Sequence, residues 1–233
     1  MSALHSLASL ALLAQQQPLG AGQGFDLVKT YKDGGFMMHP LLLFALAGLA
    51  IIVWKFIDLQ RKARATRAVI EETDALIAGH RLKETMAKLA QSRAPVAAIL
   101  LAGLRRHEEG TERVMKAIEN AGLIQLASLE RGLVWLATLS NVAPLTGFLG
   151  TVVGMIQAFQ AIELAGEVEA TLVAAGIKVA LITTATGLTI AIPINIAHNY
   201  FVSQIDRLVI EMEESAQKLI DALHAMEAKG AGV

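Results

Sequence analysis

The chain has 233 residues, is 54% hydrophobic and carries a formal net charge of −1, with a mean hydropathy of +0.51. Ordinary soluble domains sit near ~45–50% apolar, so the excess marks a membrane protein, and the near-zero charge gives no footing for nucleic-acid binding. No cysteine is present, which removes disulfides, thiolate metal sites and thiol catalysis.

Residues 1–35 read as an external N-terminal segment. "LHSLASLALLAQQQ" has the apolar run of a signal-peptide core, yet Met1 to Leu10 contains no lysine or arginine. The other reading is an amphipathic tail. "GAGQG", Gly20 to Gly24, has no strand before it and reads as a loop rather than a phosphate cradle. The first span follows at 36–57, where the apolar run from Phe36 ends at Trp54 and Lys55. Around 20 apolar residues cross the ~30 Å hydrocarbon core.

"RKARATR" places four basic residues, Arg61, Lys62, Arg64 and Arg67, directly after this span. The positive-inside rule puts them in the cytoplasm and the N-terminus outside. Residues 58–131 then form a cytoplasmic helical domain with breaks near Gly79, Pro95 and Gly110. Thr111, followed by Glu112, is a candidate N-cap. From there Met115, Ile118, Gly122, Leu126, Leu129, Leu133 and Leu136 make a 3.5-residue stripe that runs straight into span two.

Span two occupies 132–162, a short external loop 163–169 with Glu163, Glu167 and Glu169, and span three 170–201. Both spans exceed what the core needs and should project beyond it. The C-terminal helix, 202–233, continues the pattern with Phe201, Ile205, Leu208, Met212, Leu219 and Met226. The expected fold is all-α, three transmembrane helices, N-out and C-in, with helices two and three extending into a cytoplasmic bundle.

Each of the last two spans has a face of small and polar residues. On span two it holds Ser140, Pro144, Gly147, Thr151 and Gly154; on span three, Gly176, Ala180, Thr184, Gly187 and Asn195. Small residues permit close helix packing, and the same faces can line a narrow polar interior; periodicity leaves both open. A three-span chain offers these faces no internal partner, so an obligatory oligomer is expected. Lys178 is the one formal charge within span three; it either snorkels or pairs with Glu163, Glu167 or Glu169. Between Gly132 and Ile162, and between Ala170 and Ile205, there is no aspartate or glutamate. Threonine hydroxyls orient water but cannot hold a proton charge near neutral pH, so an ion-driven device built on these spans needs a carboxylate from a partner.

"APLTGFLGTVVGMIQAF" together with "ALITTATGLTIAIP" resembles the second and third spans of the ExbB/TolQ/MotA proton-channel family. "GGFMMHPLLLFALAGLAIIVWKFIDLQR" resembles that family's first span, and "LERGLVWLATLSNVAPL" its lead into the second. The likeness covers about Gly34 to Tyr200, and three spans with the large loop after the first fit the ExbB/TolQ branch. The resemblance implies an inner-membrane, multi-pass motor subunit; with scattered histidines and no Walker A, G-x-S-x-G or H-E-x-x-H motif, no enzyme activity, cofactor or metal site is expected from the residues themselves. It implies a pentamer around single-span partners of the ExbD/TolR kind, which supply a membrane aspartate, and an envelope-spanning protein of the TonB/TolA kind beyond them. The family's pore threonines match Thr151 and Thr184, with Thr183 an additional hydroxyl. Two positions depart from the family pattern: Val179 stands where many members carry a glutamate, and Thr146 stands where leucine is commoner. A passive channel or small-solute carrier, or a scaffold without an ion pathway, remain the alternatives from other classes.

Overall fold

The computed structural model describes residues 26–78 and 81–230, all helix or connecting turn with no strand among them. The expectations for residues 1–22 and Gly20–Gly24, and the break at Gly79, lie outside the described residues. A short helix α1, Leu27–Asp33, is capped by Asp26, whose carboxylate accepts from the backbone N–H of Val28 at 3.1 Å and of Lys29 at 3.3 Å. Among the described residues, three helices are long and apolar enough to cross a membrane. They are α2, Met38–Ala78; α6, Leu133–Ala165; and α7, Ala170–Gly230. With 41, 33 and 61 residues they run roughly 60, 50 and 90 Å, so α2 and α7 continue far past a ~30 Å core.

Between α2 and α6 lie α3, Leu82–Gln91; α4, Pro95–Leu104; a 3-10 turn, His107–Glu109; and α5, Thr111–Glu130. Pro95 opens α4 at the one helical position where its missing N–H costs nothing. "PVAAILLAGL" is apolar all round and accordingly buried, with Val96, Ala97, Leu100 and Leu104 fully enclosed. These pack with Leu59, Leu129, Phe201, Ile205, Leu208, Met212 and Leu219 into the core of the polar half of the molecule.

There α2 and α7 run parallel. Arg67 meets Glu211 at 2.8 Å and Lys218 meets Asp74 at 3.1 Å, one heptad apart on each helix and with the same sequence separation of 144. The Asp74 carboxylate, first through its hydrogen bond and then through its charge, holds the Lys218 ammonium above the usual lysine range.

Two local expectations are corrected. The N-cap of α5 is Gly110, at φ +94°, and Thr111 is the first helical residue. The stripe from α5 into span two is also not one continuous helix. The chain turns at Arg131 and Gly132, where Gly132 sits at φ +92°, a backbone conformation that suits a residue without Cβ. The apolar spacing carries on across the corner, which is why periodicity alone did not reveal it.

Candidate functional site: the seam of α6 and α7 and its open flank

The two helices pack antiparallel through their small residues. A Cβ placed on Gly147 would lie 2.9 Å from the Thr183 carbonyl oxygen; one on Gly154, 2.9 Å from the Gly176 carbonyl; one on Gly187, 2.7 Å from the Ala143 carbonyl. Gly176 fits under Ala158 and Gly150 under the side chain of Thr183. Gly147, Gly154, Gly176, Ala180 and Gly187 are therefore buried against the opposite helix of the same chain. This corrects the expectation that the small faces lack a partner within the monomer: they are partners of each other. Backbone-to-backbone contact of this kind is the usual way apolar helices associate where lipid removes the hydrophobic drive.

The threonines divide around this seam. Thr183 has no exposed surface, and its hydroxyl donates to the carbonyls of Val179 and Ala180, both at 3.0 Å. It is part of the packed seam. The Thr184 hydroxyl crosses the seam and donates to the Gly147 carbonyl at 3.2 Å. Thr151 is half-buried and donates to the Phe148 carbonyl at 2.6 Å.

At ~100° per residue, Thr151, Pro144 and Ser140 fall within about 60° of Gly147 on one side of it. On α7, Thr184 and Asn195 fall on the same flank of the seam by the same count. The other flank is covered by α2, whose Gly48 is approached by Ile194 and Leu139, and by the turn before it, where Gly34 lies under Ile182. Thr146 is five residues before Thr151, about 140° away, and is on the covered side near Leu139; its hydroxyl bonds Val142 at 2.9 Å. The flank with Thr151 and Thr184 is thus the one that α2 leaves open. Its remaining lining is apolar and exposed: Phe148 at 64%, Leu181 at 66% and Ile192 at 58%.

Two charged groups frame the spans. Lys178 pairs with Asp33 at 2.5 Å, which ties α1 to α7. Pairing was among the expected outcomes, but the partner is Asp33 and not Glu163, Glu167 or Glu169. Lys55, unremarked in the sequence except as the end of the first span, is fully buried. Its ammonium donates to the carbonyls of Leu129 and, at 2.9 Å, Arg131. Those carbonyls belong to the corner between α5 and α6, where a helix end leaves acceptors without intrahelical donors. The ring of Trp54 stands 3.0 Å from where a Gly132 Cβ would be. A lysine at the end of an apolar run ordinarily snorkels, so nothing local in the sequence signals this inward role.

A family model described as the MotA/TolQ/ExbB proton channel family matches residues 91–214, the stretch that contains α4, α5, the whole of α6 and both threonines of the open flank. The chain belongs to the MotA/TolQ/ExbB proton channel family. It is similar to the biopolymer transport protein ExbB-like 1 of Synechocystis sp., with 32% identity over 183 residues, 75% of this chain and 70% of that protein. It is also similar to the biopolymer transport protein ExbB of Pseudomonas putida, with 26% identity over 230 residues, covering 94% of this chain and 70% of that one. Against the Tol-Pal system protein TolQ of Haemophilus influenzae the identity is 42% over 91 residues, 39% of each chain. The chain spans 66% of the length of an ExbB homolog from Methanothermobacter thermautotrophicus. Three apolar helices in a chain of the MotA/TolQ/ExbB family make this a multi-pass membrane protein.

Proposed function

We propose that this protein is the ion-conducting subunit of an inner-membrane motor, oriented N-out and C-in. Copies of the chain form a ring, a pentamer on the family pattern, and proton flow through it does mechanical work on the cell envelope. The carrying observation is the placement of Thr151 and Thr184 on the single flank of the α6–α7 pair that α2 leaves uncovered. A ring that closes with this flank inward presents hydroxyls, the Asn195 amide and small residues to a central single-span partner of the ExbD/TolR kind.

The chain contributes no carboxylate there, since neither α6 up to Ile162 nor α7 up to Ile205 contains one. The partner brings the titratable group, an aspartate; the threonine hydroxyls, whose protons go to the Phe148 and Gly147 carbonyls, accept from and orient the water that reaches it. A charge moving through the field gains ~2.3 kcal/mol per 100 mV, enough to bias the position of such a partner. A TonB/TolA-like protein then carries the motion across the envelope.

The test uses the chain coexpressed with its single-span partner and reconstituted in vesicles. Thr151→Val and Thr184→Val keep side-chain shape and remove the hydroxyl. Thr184→Val also gives up one interhelical hydrogen bond, a kind that averages ~0.6 kcal/mol in membranes, so assembly should survive. Proton flux falls sharply in both variants and stays near wild type in Thr146→Val. Unchanged flux in the first two, with the complex intact, would show the hydroxyls to be packing groups and remove the proposal's basis.

A further inference from the structure

The register between α2 and α7 continues back toward the spans. Arg67–Glu211 and Asp74–Lys218 fix an offset of 144 between two parallel helices. The same offset sets Ala63 level with Arg207, Gln60 with Gln204, and Phe56 with Tyr200. All six line one narrow cleft of about 100 Å³, floored by the buried Leu59 and Phe201. Its character changes layer by layer: two aromatic rings, then two amides, then a guanidinium.

These layers match the depth at which they stand. About 20 residues cross the ~30 Å hydrocarbon core, and α2 begins at Met38, so the core ends near Ile57. At ~1.5 Å per residue the amide layer lies ~5 Å beyond that edge and the Arg207 backbone ~9 Å beyond it. Lipid headgroups occupy the first ~5–8 Å. Helical side chains lean toward the N-terminus of their helix, which for α7 at this end is the membrane side, so Arg207 leans back into the headgroup layer. The rings of Phe56 and Tyr200, 47% and 44% exposed, stand at the core edge.

Among the described residues, Gln60, Gln204 and Arg207 make no hydrogen bond or ion pair. No acidic residue lines the cleft. On the adjoining turns Asp58 is taken by Lys62 at 3.0 Å and Glu211 by Arg67 at 2.8 Å, and Asp206 lies about 100° around α7 from Arg207. The cleft therefore offers unclaimed donors in a set order, above an apolar floor.

We propose that it binds one anionic phospholipid. The Arg207 guanidinium takes the phosphate through its planar fork, the Gln60 and Gln204 amides donate to the ester carbonyls, and an acyl chain lies against Phe56 and Tyr200. A zwitterionic headgroup would bring an ammonium to a cleft that has no carboxylate to receive it, so the preference is for a net-negative lipid. The inference rests on the spans alone, and neither on ion flow nor on ring closure, so it can fail while the proposed function stands.

The test titrates spin-labelled phosphatidylglycerol or phosphatidylcholine onto the delipidated full-length protein in detergent, and reads the motionally restricted fraction by electron paramagnetic resonance. Phosphatidylglycerol binds the wild type several-fold more tightly than phosphatidylcholine. Arg207→Gln lowers its affinity ~5-fold, the equivalent of the ~1 kcal/mol that a basic residue contributes at a headgroup layer, and removes the preference. Arg61→Gln is the control: it removes the same charge from an exposed position about 120° around α2 from Arg67, outside the cleft, and changes affinity less than twofold. Gln60→Leu/Gln204→Leu weakens both lipids and keeps the preference, because both carry the ester carbonyls. Equal binding of the two lipids by the wild type overturns the proposal. Equal losses in Arg61→Gln and Arg207→Gln overturn it too, since the attraction is then that of a diffuse basic surface. Release of the lipid by inorganic phosphate, and not by chloride at the same ionic strength, would make the cleft a soluble-anion site and overturn the lipid assignment.

Discussion

Gly147→Ala tests whether the α6–α7 seam is held at backbone contact. The new methyl would lie 2.9 Å from the Thr183 carbonyl oxygen, where ordinary contact begins at 3.4 Å, a shortfall of about half an ångström against a group that cannot rotate away. The helices must separate locally. A gap of 0.5–1 Å forfeits roughly a quarter to a half of each dispersion contact, here at the neighbouring Gly154 and Gly187 positions. Overpacking of this sort costs ~1–3 kcal/mol, while alanine gains ~0.8–1 kcal/mol over glycine in a helix interior. The net expectation is destabilisation of up to ~2 kcal/mol. Gly122→Ala is the matched control: it is also interior to a helix, but its added Cβ meets nothing within 4 Å, so it should stabilise by ~0.8–1 kcal/mol. Unfolding of the purified protein by titration with a denaturing detergent, followed by helical circular dichroism, compares the two. If Gly147→Ala stabilises as much as Gly122→Ala, the seam has slack and the packing argument fails.

Gly132→Ala places a Cβ at φ +92° and 3.0 Å from the Trp54 ring; the strained backbone alone costs ~1–3 kcal/mol, and the same titration should show a loss in that range. Lys178→Met and Asp33→Asn each break the tie between α1 and α7, so hydrogen exchange at residues 27–33 should accelerate while exchange along α6 stays unchanged. Equal protection in the variants and wild type would show that apolar contacts alone hold α1.

The spans were readable because lipid imposes a length and a composition that no other environment demands. The breaks at Pro95 and Gly110 were readable because proline and glycine act locally on the backbone. The small faces of α6 and α7 were found by period, yet period describes a face and not what meets it, so the mutual burial of Gly147 and Gly187 had to come from the packing. Lys178 and Asp33 are both visible as charges, but 145 positions separate them and three nearer glutamates were equally plausible partners by sequence. On the open flank, Thr151 and Thr184 were identified through resemblance, and their shared faces with Ser140, Pro144 and Asn195 by period; what the fold adds is that α2 covers the other flank and leaves theirs open.

The buried ammonium of Lys55 has a mechanical consequence. It joins the end of the first apolar stretch to the corner between α5 and α6 by two carbonyl bonds, and the side chain has no exposed surface. A buried cation that loses its acceptors faces a desolvation penalty of several kcal/mol, so small forces cannot open this joint. A tilt of α2 must therefore carry the base of α6 with it, as a rivet carries two plates.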